Sequence, residues 1–342
     1  MTKRNSITLV VSMAMLVLCP SMLGAAGAAD FYFGKTVLLV ASSDPGSAVD
    51  GYTRLLARHI QKYIPGAPII VVENEPGAGG LRIAQDTYSI AVKDGTKIGE
   101  IRASAMLDSI LGMHGGEIDP NKYQWIGNMA SDTDLCAFWY TAGVHSFDDL
   151  TQKEVIVGSS GQGAQNYAFP NAFNHILHTK MKIVVGYKGV PDRMLAMERG
   201  ELQGNCGMSS SSIMSQYAQL IADGKLIPIM QSGLHPYPAL PDVPLTQSFA
   251  TTDDQRRVLM AIFSQMEIQR VYALPPGTPQ DRVEILRQAF MQALNDPSLI
   301  DEAKQLKYGL NPMSGEEVAK VIADMSNLPP ELKAEVRAAI GD

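Results

Sequence analysis

Three short segments concentrate glycine, serine and proline where a chain could hold an anion. They are Asp44-Pro45-Gly46-Ser47-Ala48-Val49-Asp50, Asn74-Glu75-Pro76-Gly77-Ala78-Gly79-Gly80 and Ser159-Ser160-Gly161-Gln162-Gly163-Ala164. A glycine-rich turn entering a helix presents backbone N–H groups with no intrahelical partner, together with the positive end of the helix dipole. The Ser159 and Ser160 hydroxyls add further donors. The chemistry this suggests is capture of a negative group. Glycine, proline and serine also make ordinary turns, which is the competing reading of any one loop. Three loops at equivalent places keep both readings open.

Catalytic patterns fare worse. Gly77-Ala78-Gly79-Gly80-Leu81-Arg82 fails the dinucleotide fingerprint, because Arg82 stands at the third glycine position. No stretch matches the P-loop. Gly158-Ser159-Ser160-Gly161-Gln162 fails the nucleophile elbow at its last position. His175 and His178 share a helix face, but no acidic or cysteine ligand follows at metal spacing, so neither a metal nor a cofactor is expected. Asp50 belongs in a first helical turn, where it offsets the dipole and pairs with Arg54 one turn on. Met194, Met197, Met208 and Met214 read as flexible core filler.

The elements that must position these loops alternate. Residues 36–41 form a β-branched apolar run, and an apolar face of Tyr52, Leu55, Leu56, His59 and Ile60 predicts a helix over 48–63, ended by Pro65-Gly66. A second strand over 69–73 leads through the asparagine–glycine loop to a helix over 83–91. The order repeats with strands at 154–158 and 182–186 and helices at 166–178 and 191–199, the last closed by Gly200. A strand at 226–231, a proline-rich linker at 236–244, and helices at 281–295 and 315–325 complete the pattern. Strand, glycine turn and helix in succession signify parallel α/β layers, and ligands of such sheets sit at the carboxyl ends of the strands.

The ends and the composition bound the rest. Lys3 and Arg4 precede an apolar run from Ile7 to Leu18, and Ala26-Gly27-Ala28 fits a leader-peptidase site. That run is about twelve residues, short of the ~20 that span a bilayer. A cleavable leader over residues 1–28 is expected, with the mature chain exported to the periplasm after cleavage near Ala28. Leu18 before Cys19 argues against a lipid-attachment site. The formal charge is −7, and loss of the leader removes two positive charges and no acidic ones. With no basic stripe, nucleic acid is not a partner. Roughly 300 remaining residues are too many for one ordinary core and suggest two lobes. Cys136 and Cys206 are the cysteines left in the mature chain. They are a disulfide in an oxidising compartment or two small buried hydrophobes, and spacing does not decide.

With these residues placed, the chain resembles the solute-binding proteins of tripartite tricarboxylate transporters, the Bug family, from about Phe31 to the C-terminal helix. Pro45-Gly46-Ser47-Ala48-Val49-Asp50 with Arg54 resembles the family's first loop, and its asparagine-x-proline-glycine-alanine-glycine-glycine motif is intact at 74–80. Asp94-Gly95-Thr96, the loop Ser159 to Gly163, Tyr187-Lys188-Gly189 and Leu274-Pro275-Pro276-Gly277-Thr278-Pro279 follow in the family's order. The resemblance implies a two-lobed type II periplasmic-binding fold, α/β, closing on its ligand. Lobe 1 would take 29–128 plus 246–342, and lobe 2 would take 129–245.

It implies a monomer that captures a small carboxylate and delivers it to integral membrane subunits of such a transporter, without catalysis. The carboxylate would lie between Ser43, Gly46, Ser47 and Ala48 on one lobe and Ser159, Ser160, Gly161 and Gln162 on the other. Gln165 and Asn166 would read the rest of the ligand, with no lysine or arginine required. Cysteines placed like Cys136 and Cys206 are reminiscent of a subgroup, which favours the disulfide. Ser47 replaces a family glycine, Ala164-Gln165-Asn166-Tyr167 departs from the usual continuation, and residues 132–140 and 205–212 are unusual. An α/β enzyme acting on a small carboxylate and a ligand sensor for a membrane kinase are the alternatives.

Overall fold

The structure is a computed structural model describing residues 31–113 and 118–341. The expected leader and Cys19 lie outside the described residues. Two sheets organise the chain. The first has six strands: β1 (Thr36–Ala41), β2 (Ile69–Asn74), β3 (Lys97–Ile101), β4 (Gln124–Asn128), β10 (Val271–Leu274) and β11 (Met313–Ser314), in the spatial order β11-β4-β10-β3-β1-β2. The second has five: β5 (Asp134–Trp139), β6 (Val155–Ser159), β7 (Met181–Val185), β8 (Gly204–Ser209) and β9 (Leu226–Ser232), in the order β7-β6-β8-β5-β9. This is the two-lobed α/β architecture expected from the alternating pattern.

Each sheet has a parallel half that carries the glycine loops. β1 pairs in parallel with β2 and β3, and β6 with β7 and β8. α1 (Ala48–Ile60) follows β1; its apolar face buries Tyr52, Leu55, Leu56 and Ile60, and a short 3-10 turn ends it before Pro65. α2 (Leu81–Ser89) follows β2, and α3 (Ala103–Ile110) follows β3. In the second lobe α4 (Phe147–Gln152) precedes β6, α5 (Gln165–Leu177) follows it, and α6 (Val190–Glu198) follows β7. α7 (Ser210–Gln216) and α8 (Ala218–Ala222) lead into β9.

Sequence patterning placed neither β3, β4, β5, β8, β10 nor β11, each of which has an antiparallel neighbour, although it did place β9, which is antiparallel to β5. β10 runs against both β3 and β4, and β5 runs against both β8 and β9. These strands lie where the chain crosses between sheets, so their direction is reversed. They are buried on both faces, which erases the two-residue alternation of a half-buried strand. The unusual runs at 132–140 and 205–212 fall mainly on β5 and β8. Cys136 of β5 and Cys206 of β8 are bonded to each other, beside a register shift, and both are fully buried.

α9 (Asp253–Phe263), α10 (Gln280–Leu294), α11 (Pro297–Gln305), α12 (Gly315–Ser326) and α13 (Pro330–Ile340) complete the chain. α10 packs on α1 and β4, burying Phe290 in a core with Leu55, Leu56 and Tyr272. Met194, Met197 and Met208 fill the core of the second sheet, with Met214 against it. A third core joins the lobes: Ile101 and Trp125 of the first sheet share it with Phe138, Phe169 and Phe173 of the second. α13 lies across α5, where Asn171 donates to the Ala339 carbonyl at 3.2 Å. The proline-rich linker is pinned by the buried Gln231 amide, which donates to the Leu240 and Val243 carbonyls at 2.9 and 2.7 Å.

Candidate functional site

Ser47 has extended backbone and caps α1, its hydroxyl accepting from the Asp50 N–H at 3.2 Å. Ser43 and Ser47 share a 2.6 Å hydroxyl contact. Asp50 reaches back to accept from the Gly46 N–H at 2.8 Å, from Arg54 Nε at 3.0 Å and from Asn74 Nδ2 at 2.9 Å. Asn74 also donates to the Ser43 carbonyl at 2.9 Å and accepts from Arg54 at 3.1 Å. Burial pushes the Asp50 carboxyl up, but bonds from Arg54, Gly46 and Asn74 outweigh it and hold the group below its ordinary range. Asp50 is therefore a latch between the first two glycine loops, which leaves the Ala48 and Val49 N–H groups of the first helical turn without intrahelical partners.

The opposing loop has an equivalent latch. Asn166 Oδ1 accepts from the Ser159 hydroxyl at 2.9 Å, the Ser160 N–H at 3.0 Å and the Ser160 hydroxyl at 3.2 Å. Ser159 is fully buried and also accepts from the Gly161 N–H at 3.1 Å. β8 packs close behind this turn: a Cβ on Gly207, whose φ is +73°, would lie 2.7 Å from Asn166 Cα.

These loops face each other across a cleft of about 660 Å³ between the lobes. Of the residues singled out from sequence, Ser43, Gly46, Ser47, Ala48, Ser160, Gln165 and Asn166 line it. Ser159 is buried behind the wall and bonds Gly161 to shape the turn, while Gly161 is half-buried and Gln162 exposed, neither of them lining the cleft. The loops also touch: a Cβ on Gly79, with φ +63°, would lie 3.0 Å from the Gly163 carbonyl oxygen. Gln165 Nε2 donates to Gln265 Oε1 at 3.3 Å across the same gap.

Sequence reasoning missed the charged part of the wall. Arg102, Asp134, Lys188, Arg193 and Arg270 all line the cleft. Arg102 donates to the Ser42 hydroxyl at 3.3 Å, and Ser42 in turn bonds the buried Glu100. Burial raises the Glu100 carboxyl against the opposing pull of Arg102 and Ser42. Arg270 lies 3.6 Å from Asp132 and 5.0 Å above the Tyr52 ring. Burial, reinforced by Asp132, raises Asp134 to about 7 despite Arg270, Arg102 and Arg193 nearby. The signals in the sequence were Lys188 within Tyr187-Lys188-Gly189 and the oddity of residues 132–140 and 205–212, which hold Asp134 and the cleft residues Gly207, Ser209 and Ser212.

Solved structures share the fold. A TctC solute binding protein from Polaromonas aligns at 18% identity and TM-score 0.63, over 88% of this chain and 97% of that one. The periplasmic binding protein BugD aligns at 19% and 0.68, over 89% and 97%. The fold is that of the periplasmic binding proteins. MatC from Rhodopseudomonas palustris, solved with bound malate, shares it at 17% identity and TM-score 0.65, over 89% of this chain and 99% of its own. No family model matches the chain, and no curated protein matches it. The binding proteins that the loop motifs resemble are thus also structural neighbours, and the likeness spans both lobes.

Proposed function

We propose that this chain is a periplasmic solute-binding protein. It captures a small carboxylate between its lobes and delivers it, as a monomer, to the integral membrane subunits of a tripartite tricarboxylate-type transporter. The observation that carries this reading is the convergence of two latched loops, each leading into a helix, on one interlobe cleft. Backbone donors and the Ser160 hydroxyl there suit a carboxylate, which the helix dipoles favour. The bound malate of MatC supports the same ligand class. A carrier needs capture and release rather than chemistry, and a ligand that binds both lobes stabilises the closed shape its membrane partner would read. The lobes in this reading are 29–128 with 246–342, and 129–245, the leader being removed near Ala28.

Thermal-shift screening of the mature protein against mono-, di- and tricarboxylates tests this. A ligand at a hundred times its Kd adds about 2.7 kcal/mol to the folded state. A clear rise in Tm with at least one carboxylate is expected. Stabilisation by none of them would overturn the reading.

A further inference from the structure

The Arg193 guanidinium feels the charges of Asp134 and Asp192 but bonds to neither. It is 3% exposed, its Nε is buried with no hydrogen bond, and no ion pair or side-chain hydrogen bond joins it to any described residue. Its stem is fixed, because it packs over Gly158 of β6, where a Cβ would lie 3.1 Å from Arg193 Cδ. Across the cleft Arg270, 5% exposed, also keeps an unpartnered buried Nε, although its other nitrogens reach Asp132 and the Gln269 carbonyl. Asp134, 3% exposed with Oδ2 unpartnered, lines the cleft beside them.

Burying a guanidinium without hydrogen bonds is costly, and nearby carboxyl groups offset less of that cost than an arriving acceptor in direct contact. Arg193 belongs to α6 in the second sheet's lobe, whereas Arg102 and Arg270 flank strands of the first sheet. An acceptor among them would therefore hold both lobes. The Ser–Gly loops already offer a place for one carboxylate, and nothing in that clamp uses these arginines.

We propose that Arg193, faced by Arg102 and Arg270, forms a second anion subsite that binds the far acidic group of the ligand directly and makes the site selective for dicarboxylates. A planar guanidinium presents paired N–H donors that match a carboxylate, which an ammonium does not. This rests on the carrier reading above but is separable from it by experiment.

The test is calorimetric titration of the mature protein with straight-chain dicarboxylates and with the monocarboxylates of equal carbon number. The dicarboxylate is expected to bind at least about tenfold tighter. Arg193→Ala should weaken the dicarboxylate by about ten- to a hundredfold and leave the monocarboxylate unchanged, erasing the preference. Arg193→Lys, which keeps charge and stem, should lose part of the preference and covers the case in which the alanine variant does not fold. Monocarboxylates binding as tightly as dicarboxylates, or a preference undiminished in either folded variant, would overturn the subsite while leaving the carrier intact. Binding of neither class would overturn both.

Discussion

Ser159 and Ser160 are neighbours with different tasks. Ser159 is fully buried and its hydroxyl is spent on Asn166 and Gly161, whereas Ser160 lines the cleft and its hydroxyl bonds only Asn166 among the described residues, a contact it can exchange for a ligand oxygen. Alanine at Ser160 removes a donor to a charged group, which contributes ~1.5–3 kcal/mol, so binding should weaken by about tenfold to a hundredfold with Tm little changed. Alanine at Ser159 should instead lower stability by about 1 kcal/mol, because buried partners lose their hydrogen bonds. Calorimetry and thermal unfolding of both variants separate the two roles. Asp134 gives a pH prediction. Its carboxyl, raised to about 7 among Asp132, Arg102, Arg193 and Arg270, keeps a proton in the fold that the unfolded chain releases near pH 4. Stability from this group should therefore fall as pH rises from about 4 to 7, with the whole penalty present above that. Asp134→Asn should flatten this part of the profile and exceed the native protein in stability at pH 8, measured by denaturant titration across pH.

At the scale of elements, the parts visible in the sequence are those with a solvent side. The helical period of 48–63 appears as α1 and its terminal turn, and the strands and helices around the two latched loops lie within a few residues of their expected places. β5 and β10 escaped because they are buried on both faces, and β5 and β8 because Asp134, Gly207 and Ser209 reach the cleft, which breaks any local pattern. The loops were legible because glycine and serine are local signals. The arginine wall was not, because its members are scattered from Arg102 to Arg270 and meet only after folding. The Cys136–Cys206 bond is also long-range, closing a separation of 70 residues. Such a loop stabilises the fold by about 4 kcal/mol in the chain-entropy model. Reduction should lower Tm substantially, and thiol labelling of the denatured, unreduced protein should find no free thiol; two free thiols would contradict the bond.

For the whole molecule, the third core and α13 tie the lobes on one side, while on the other the cleft is bounded by loops that touch at Gly79 and Gly163. The Asp50 and Asn166 latches hold the two loops in shape, so that ligand binding need not order them first, and pre-organisation of this kind saves affinity. The most direct test is a crystal structure of the mature protein with the carboxylate that raises its Tm most. A ligand carboxylate is expected between the Ala48–Val49 backbone and Ser160, with oxygens about 3 Å from those donors. Ligand density outside the interlobe cleft, or a carboxylate that touches neither loop, would contradict the proposed site.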